Sequence, residues 1–365
     1  MSFLSKLFKT NKEKPIENYA DFWDWFVANE KDFFAVVKEG KHFEEKFFNK
    51  LSPKLDELRE GIYFLTGMFD PNTAELILTP EGIIKNVSIV EELVAAAPII
   101  NGWKFTSLKQ ESNIENISIN MDNFSFSGET ISFYSNEDKN YPDEIDITVV
   151  HNDYNEENKN IIGNGTYIFM DNFLGELNSI SIIDNLSFIE PKNVEKELVP
   201  FEKLKDFLIW REKEFIEKYD GVRHNTENDN YTMYESELEN GNMIFAVINA
   251  DLLNWDSTAS HPWMVCLTIK FDGSKSNGMP DDKTFAILNE IEDNLTENLK
   301  DIDGYLNLGR ETCNGEREIF IACKEFRKPT IYIPDLIKKY ESKIEIEYEI
   351  YKDKYWKTLS KYTKN

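Results

Sequence analysis

The sequence predicts an α+β protein of two domains, and three observations carry that reading. The chain has 365 residues, too many for one ordinary core. Hydrophobic residues make up 41% and aromatic residues 13%, enough to build a core, which argues against a wholly disordered acidic chain. Helical and alternating apolar patterns interleave along the chain, and the last six elements read β-α-β-β-α-β on an antiparallel sheet.

Residues 18–38 place Phe22, Trp23, Phe26, Phe33, Phe34 and Val37 at helical spacing. The Trp23, Trp25 and Phe26 cluster could serve as a stacking box, but that spacing reads more plainly as core. A second helix spans about 42–59, kinked or broken by Pro53. Strands at 61–69 and 74–79 flank the turn Asp70-Pro71-Asn72-Thr73. A helix at 87–97 ends before Pro98, and Gly102-Trp103 opens another strand. Residues 111–151 read as short strands with polar turns. Gly163 and Gly165 argue against a continuous helix over 155–175, and Ile180, Ile182 and Ile183 are expected to close the sheet. Glu190-Pro191-Lys192-Asn193 marks the boundary, giving domains at 15–190 and 196–352.

In the second half a helix at 201–218 precedes a polar loop from His224 to Asn230. Strands at 231–238 and 243–249 flank Glu239-Asn240-Gly241-Asn242 as a hairpin. Then come a strand at 263–271, a helix at 282–300, strands at 304–312 and 316–324, a helix at 331–341 and a strand at 344–351. This is the ferredoxin-like order. The right-handed crossover rule places both helices on one face of a four-stranded antiparallel sheet. The preceding helix and hairpin are expected to cover the other face.

The C-terminal half carries Trp263 after Pro262, then Asn277-Gly278-Met279-Pro280 and Ile291-Glu292-Asp293 with Leu295. Leu308-Gly309-Arg310-Glu311-Thr312 and Gly315-Glu316-Arg317-Glu318 follow. Over about residues 225–330 this resembles an uncharacterised bacterial domain, family six hundred and ninety-five of the domains of unknown function. Such domains sometimes sit beside a module similar to the regulator of ribonuclease E activity B, an acidic inhibitor with a ferredoxin-like fold. Nothing after residue 330 is long enough to be that module. The resemblance implies a fold and a cytoplasmic bacterial context, not an activity.

The formal net charge is −26. Such a body repels a phosphate backbone, so nucleic acid is not an expected partner of it. Both ends are basic: Lys6, Lys9, Lys12 and Lys14 stand against Glu13, and Lys352, Lys354, Lys357, Lys361 and Lys364 against Glu349 and Asp353. These tails are the expected places for contact with an anionic surface. Phe3, Leu4, Leu7 and Phe8 interleave with Lys6 and Lys9, as a short amphipathic segment or a frayed terminus would. No apolar run approaches the roughly 20 residues of a membrane span. Cys266, Cys313 and Cys323 show neither a disulfide framework nor metal spacing, so a reducing cytoplasm is expected.

No nucleophile elbow, phosphate loop or dinucleotide fingerprint is present, and no cofactor or metal is expected. Of His42, His151, His224 and His261, none has zinc spacing. His261 at a strand mouth reads as a satisfied histidine or a general base. The stretch from Asp272 to Gly278 has its glycine at the seventh position and Lys283 at the twelfth, so it fails as a calcium loop. Asp281 or Asp282 caps the helix that follows.

The sharpest local feature is Asn314-Gly315, which suits a two-residue turn. Its register sets Cys313 opposite Glu316, Thr312 opposite Arg317 and Glu311 opposite Glu318. Two carboxylates face to face repel, so cations or a ligand should offset them, unless the hairpin end is simply solvated. Arg310 and Arg317 point to the other face. Glu292 borders the apolar stripe of its helix and has Arg310 or Arg317 as conceivable partners. Glu292, Arg310, Glu311, Arg317 and Glu318 are therefore the candidate ligand or partner residues. Two functions follow: a non-catalytic binding or regulatory protein whose acidic surface takes a basic protein partner, which the resemblance to an inhibitor family implies could be a nuclease or toxin, or a metal-assisted hydrolase built on Glu292, Glu311 and Glu318.

Overall fold

Helix α1 (Tyr19–Glu39) starts where the Asn18 side chain accepts from the Asp21 amide, and it stops at Gly40, whose φ of 68° is left-handed. The computed structural model to which it belongs describes residues 14–363. The amphipathic reading of Phe3 to Lys9 lies outside the described residues. The chain is mixed helix and sheet and divides into two compact units, one ending at Lys109 and one beginning at Gln110.

In the first unit, α1 is followed by a π-helical turn at Glu44–Phe48 and by α2 (Asn49–Leu58), which contains Pro53. Strands β1 (Tyr63–Asp70) and β2 (Thr73–Thr79) pair antiparallel. Helix α3 (Ile84–Ala95) leads to β3 (Trp103–Ser107), which joins β2 in parallel. Phe22, Trp23 and Phe26 are buried, and the Trp23 ring packs 4.6 Å from Phe105. The aromatic cluster is core.

The second unit opens with a short pair, β4 (Ile119–Met121) and β5 (Phe124–Phe126). Strands β6 (Ile131–Asn136) and β7 (Asp146–His151) follow. Helix α4 then runs from Lys159 to Leu174, straight through Gly163 and Gly165. The glycines do not break it, because helix packing selects for one of them. A Cβ on Gly165 would lie 2.1 Å from the ring of the fully buried Phe126. Gly165→Ala is therefore expected to cost about 1–3 kcal/mol by overpacking, measured as a lower urea midpoint at unchanged slope.

Helix α5 (Glu176–Ser181) takes up Ile180, and strand β8 (Asn185–Phe188) begins only after Ile183. The sheet is closed by Asn185–Phe188, five positions later than the isoleucine pattern suggests. Ile182 and Ile183 instead pack half-buried against the adjoining core. Strand β9 (Val199–Pro200) completes the order β8-β7-β6-β9. The division between units falls at 109/110, whereas the sequence reading sets its boundary at 190–193. Across that stretch Val199 pairs with Phe133, and Phe201, Leu204 and Leu208 enter the same core as Phe133, Ile147 and Phe169.

Helix α6 (Leu204–Tyr219) leads to a six-stranded antiparallel sheet. Its members are β10 (Tyr231–Glu237), β11 (Met243–Asn249), β12 (Trp263–Lys270), β13 (Tyr305–Cys313), β14 (Glu316–Cys323) and β15 (Glu345–Lys352), in the order β10-β11-β13-β14-β12-β15. The short α7 (Ala250–Leu253) is capped by Asn249. Helix α8 (Asp282–Asn298) is capped by Asp281, and α9 (Arg327–Tyr340) follows β14. Helices α8 and α9 lie side by side, joined by Tyr340 Oη to Glu290 at 2.7 Å and Tyr332 Oη to the Asn294 carbonyl at 2.9 Å.

The hairpin β10–β11 does not cover the free face of the sheet. It extends the sheet edge-on through β13. The free face is covered by Leu252 of α7 and by the C-terminal segment, where Trp356 and Leu359 bury against Met264, Leu306 and Phe320. Main-chain pairing drives the first choice, because an unpaired edge leaves a row of unmade hydrogen bonds.

Candidate functional site

The Asn314-Gly315 turn sets the expected register: Cys313 opposes Glu316, Thr312 opposes Arg317 and Glu311 opposes Glu318. Both turn residues have positive φ, 52° and 82°. The offset for the facing carboxylates comes from within the chain. Lys361 Nζ lies 2.6 Å from Glu311 Oε2, and the Tyr362 hydroxyl donates to the same oxygen. The C-terminal basic segment thus offsets individual carboxylates of the body it folds onto. Lys357 pairs with Glu144 at 2.6 Å in the same way.

Burial, then the neighbouring Glu311, hold the Glu318 carboxyl above its ordinary range. The Cys266 thiol, 3.8 Å away, is pushed up to about 12 by burial and by Glu318. It stays protonated and is no nucleophile. Since Glu318 ionises more readily in the unfolded chain, its ionisation weakens the fold as pH rises. Glu318→Gln is expected to raise the melting temperature near neutral pH. That gain should vanish as pH falls through the ordinary glutamate range, which melts across pH would show.

Glu292, Arg310 and Arg317 lie on the opposite face, beneath α8. Arg310 Nη1 is 2.7 Å from Glu292 Oε1, and Arg317 Nη1 is 3.8 Å from Glu292 Oε2. Arg317 also donates to Thr312 Oγ1 at 3.1 Å and to Asn289 Oδ1 at 3.0 Å. It is 2% exposed, and burial, then Arg310, push its guanidinium down to about 10. The five candidate residues therefore form two groups on two faces, and the three carboxylates do not share a cleft. Among the described residues no group of three or more His, Cys, Asp or Glu side chains is placed to hold a metal ion.

His261 is a satisfied strand-end histidine. It is 1% exposed, its Nδ1 lies 2.9 Å from Ser260 Oγ, and its carbonyl accepts from Trp356 Nε1. Burial, then Lys324, push its imidazole down to about 3, so it remains neutral. His224 pairs with Asp229 at 2.8 Å.

The structure assembles a concave site that the sequence reading does not contain. A cleft of about 230 Å³ opens between α6 and the end of the sheet where β12 begins and β15 stops. Ile182, Phe215, Ile216 and Trp263 supply its apolar surface, with Phe326 packed 4.8 Å from Trp263. Lys324, Arg327, Lys352 and Lys354 line it as cations, with Glu212 and Glu325 as anions. Burial pushes the Lys352 ammonium down to about 8, against the pull of Asp184. Burial, then Arg223, lower that of Lys324. The available signal was the pair Lys352 and Lys354 at a strand end, which reads in sequence as part of a basic tail.

No curated protein and no solved structure matches the chain. Within the second unit, residues 229–362, which hold the six strands and their two long helices, match the model of a family of unknown function, DUF695.

Proposed function

We propose that this is a non-catalytic binding protein whose ligand enters the cleft between α6 and the ends of β12 and β15. The observation that carries this is the cleft itself: about 230 Å³, lined by Trp263, Phe215 and Ile216 together with charged groups. Apolar walls with a few convergent polar groups are what small-molecule and side-chain pockets share. A hydrolase reading has less support, because Glu292 is held by arginines on one face while Glu311 and Glu318 occupy the other. The strand order β13-β14-β12-β15 with α8 and α9 supports describing the module as ferredoxin-like. Three free cysteines support a reducing compartment. Among the described residues no helix is long and apolar enough to cross a membrane.

The test uses N-phenyl-1-naphthylamine, a neutral apolar fluorophore. It is expected to bind saturably to the folded protein with a blue-shifted emission. Ile216 is 59% exposed, so Ile216→Asp leaves the core untouched and places a charge in the cleft. That variant should lose at least about tenfold in affinity at unchanged melting temperature. Equal binding by the parent and Ile216→Asp would sink the assignment.

A further inference from the structure

The wall of this cleft carries an unusual charge arrangement. Lys352 Nζ lies 2.7 Å from Asp184 Oδ1, and Lys354 Nζ lies 2.6 Å from Asp184 Oδ2. Two ammonium groups thus share one carboxylate. The three side chains are 12%, 5% and 6% exposed, so solvent does little to compensate the excess positive charge. Lys352 also donates to the Ile182 carbonyl at 3.0 Å, and Lys354 to the Asp143 carbonyl at 2.7 Å. An ammonium has three N–H donors, so Lys352 keeps one beyond these partners, while Lys354 Nζ also lies over the Phe215 ring, 4.6 Å from its centroid.

The remaining charged groups of the lining are Glu212, Glu325, Lys324 and Arg327. Glu325 accepts from the Tyr305 hydroxyl and from the amides of Arg327 and Lys328. Glu212 on α6 is exposed, where water screens it. Lys324 and Arg327 set two positive charges against these two carboxylates. The wall formed by Lys352, Lys354 and Asp184 therefore carries one excess positive charge in a protein whose net charge is −26.

We propose that the cleft selects ligands in which an apolar group carries an anionic head, a carboxylate or a phosphate, seated on the Nζ atoms of Lys352 and Lys354. This rests on the cleft being the binding site and names the ligand class it takes. The anion supplies the missing negative charge to both ammonium groups and accepts the remaining N–H of Lys352, while Trp263, Phe215 and Ile216 hold the apolar part. A charge-assisted hydrogen bond is the stronger kind, and here it forms away from bulk water. Only the protonated amine attracts the anion. With Lys352 titrating at about 8, between Asp184, Lys354 and Glu212, affinity falls as pH rises through that value.

The experiment is displacement of N-phenyl-1-naphthylamine from the full chain by phenyl phosphate, phenylacetate and neutral phenylacetamide, at one ionic strength. At least one anion is expected to displace the probe at a concentration about tenfold or more below that of phenylacetamide. Which anion is more potent identifies the head group. Lys352→Met leaves Asp184 and Lys354 as a one-to-one pair, so the fold is retained and the anion preference disappears. Lys352→Arg should keep the preference and move its loss to higher pH. Equal potency of the anions and the amide on the parent protein would overturn the anion assignment and leave the cleft standing. Absence of probe binding would remove both.

Discussion

Asp184→Ala is expected to lower the unfolding free energy by about 3–5 kcal/mol, because it strands two buried ammonium groups without a counter-charge. The Asp184 carboxylate receives Lys352, Lys354 and the Ile145 amide, the last at 2.7 Å. Each group was desolvated on folding, and none finds another carboxylate in direct contact. Urea unfolding with the slope held constant reads the loss directly. The double variant Asp184→Ala with Lys352→Met should recover a substantial part of it, since one of the two stranded cations is gone. If Asp184→Ala unfolds at the parent's midpoint, the pair is hydrated, and the charge argument for the cleft fails with it.

Glu292→Ala carries the second largest expected effect, a loss of about 3 kcal/mol. Arg317 is 2% exposed and depends on Glu292 as its one nearby carboxylate among the described residues. Arg310 stands beside it with the same sign of charge. Glu292→Ala leaves two guanidinium groups facing each other at a buried seam. Arg310 is partly exposed and can turn to water, but Arg317 cannot. Replacing Glu292 and Arg317 together by leucine and methionine should cost far less than either single change, because a buried ion pair and a well-packed apolar pair are often of similar stability. Chemical denaturation of the three variants would show this. Equal losses for single and double variants would mean that packing, not charge, holds α8 to the sheet.

Much of the fold was legible because its signals are local. The 3.6-residue recurrence of Phe22, Phe26 and Phe33 specifies α1, and Asn18 and Gly40 mark its ends. Asn314-Gly315 specifies a turn, and the turn alone fixes which residues of β13 and β14 oppose each other. That register put Glu311 against Glu318 and sent Arg310 and Arg317 to the far face, where Glu292 meets them. Gly165 shows the opposite case. Its helix penalty is a local signal, and it is outweighed by the Phe126 ring that packs against it from another element.

The candidate cleft was not legible, for a reason of distance. Asp184 and Lys354 are 170 residues apart, and Glu212, Trp263 and Lys324 come from three further segments. No periodicity within one segment reports that these residues meet.

The sequence by itself determined the order and type of the C-terminal strands and helices and the register of the β13–β14 hairpin. Each is decided by interactions spanning a few residues or one turn. Only the tertiary structure decided that β10 and β11 lengthen the sheet. It also decided that the C-terminal lysines fold back onto Glu311, Glu144 and Asp184, and that two buried lysines share one carboxylate at the cleft. Those outcomes follow from edge pairing, burial and charge compensation between distant segments, where many weak long-range contacts must be satisfied at once.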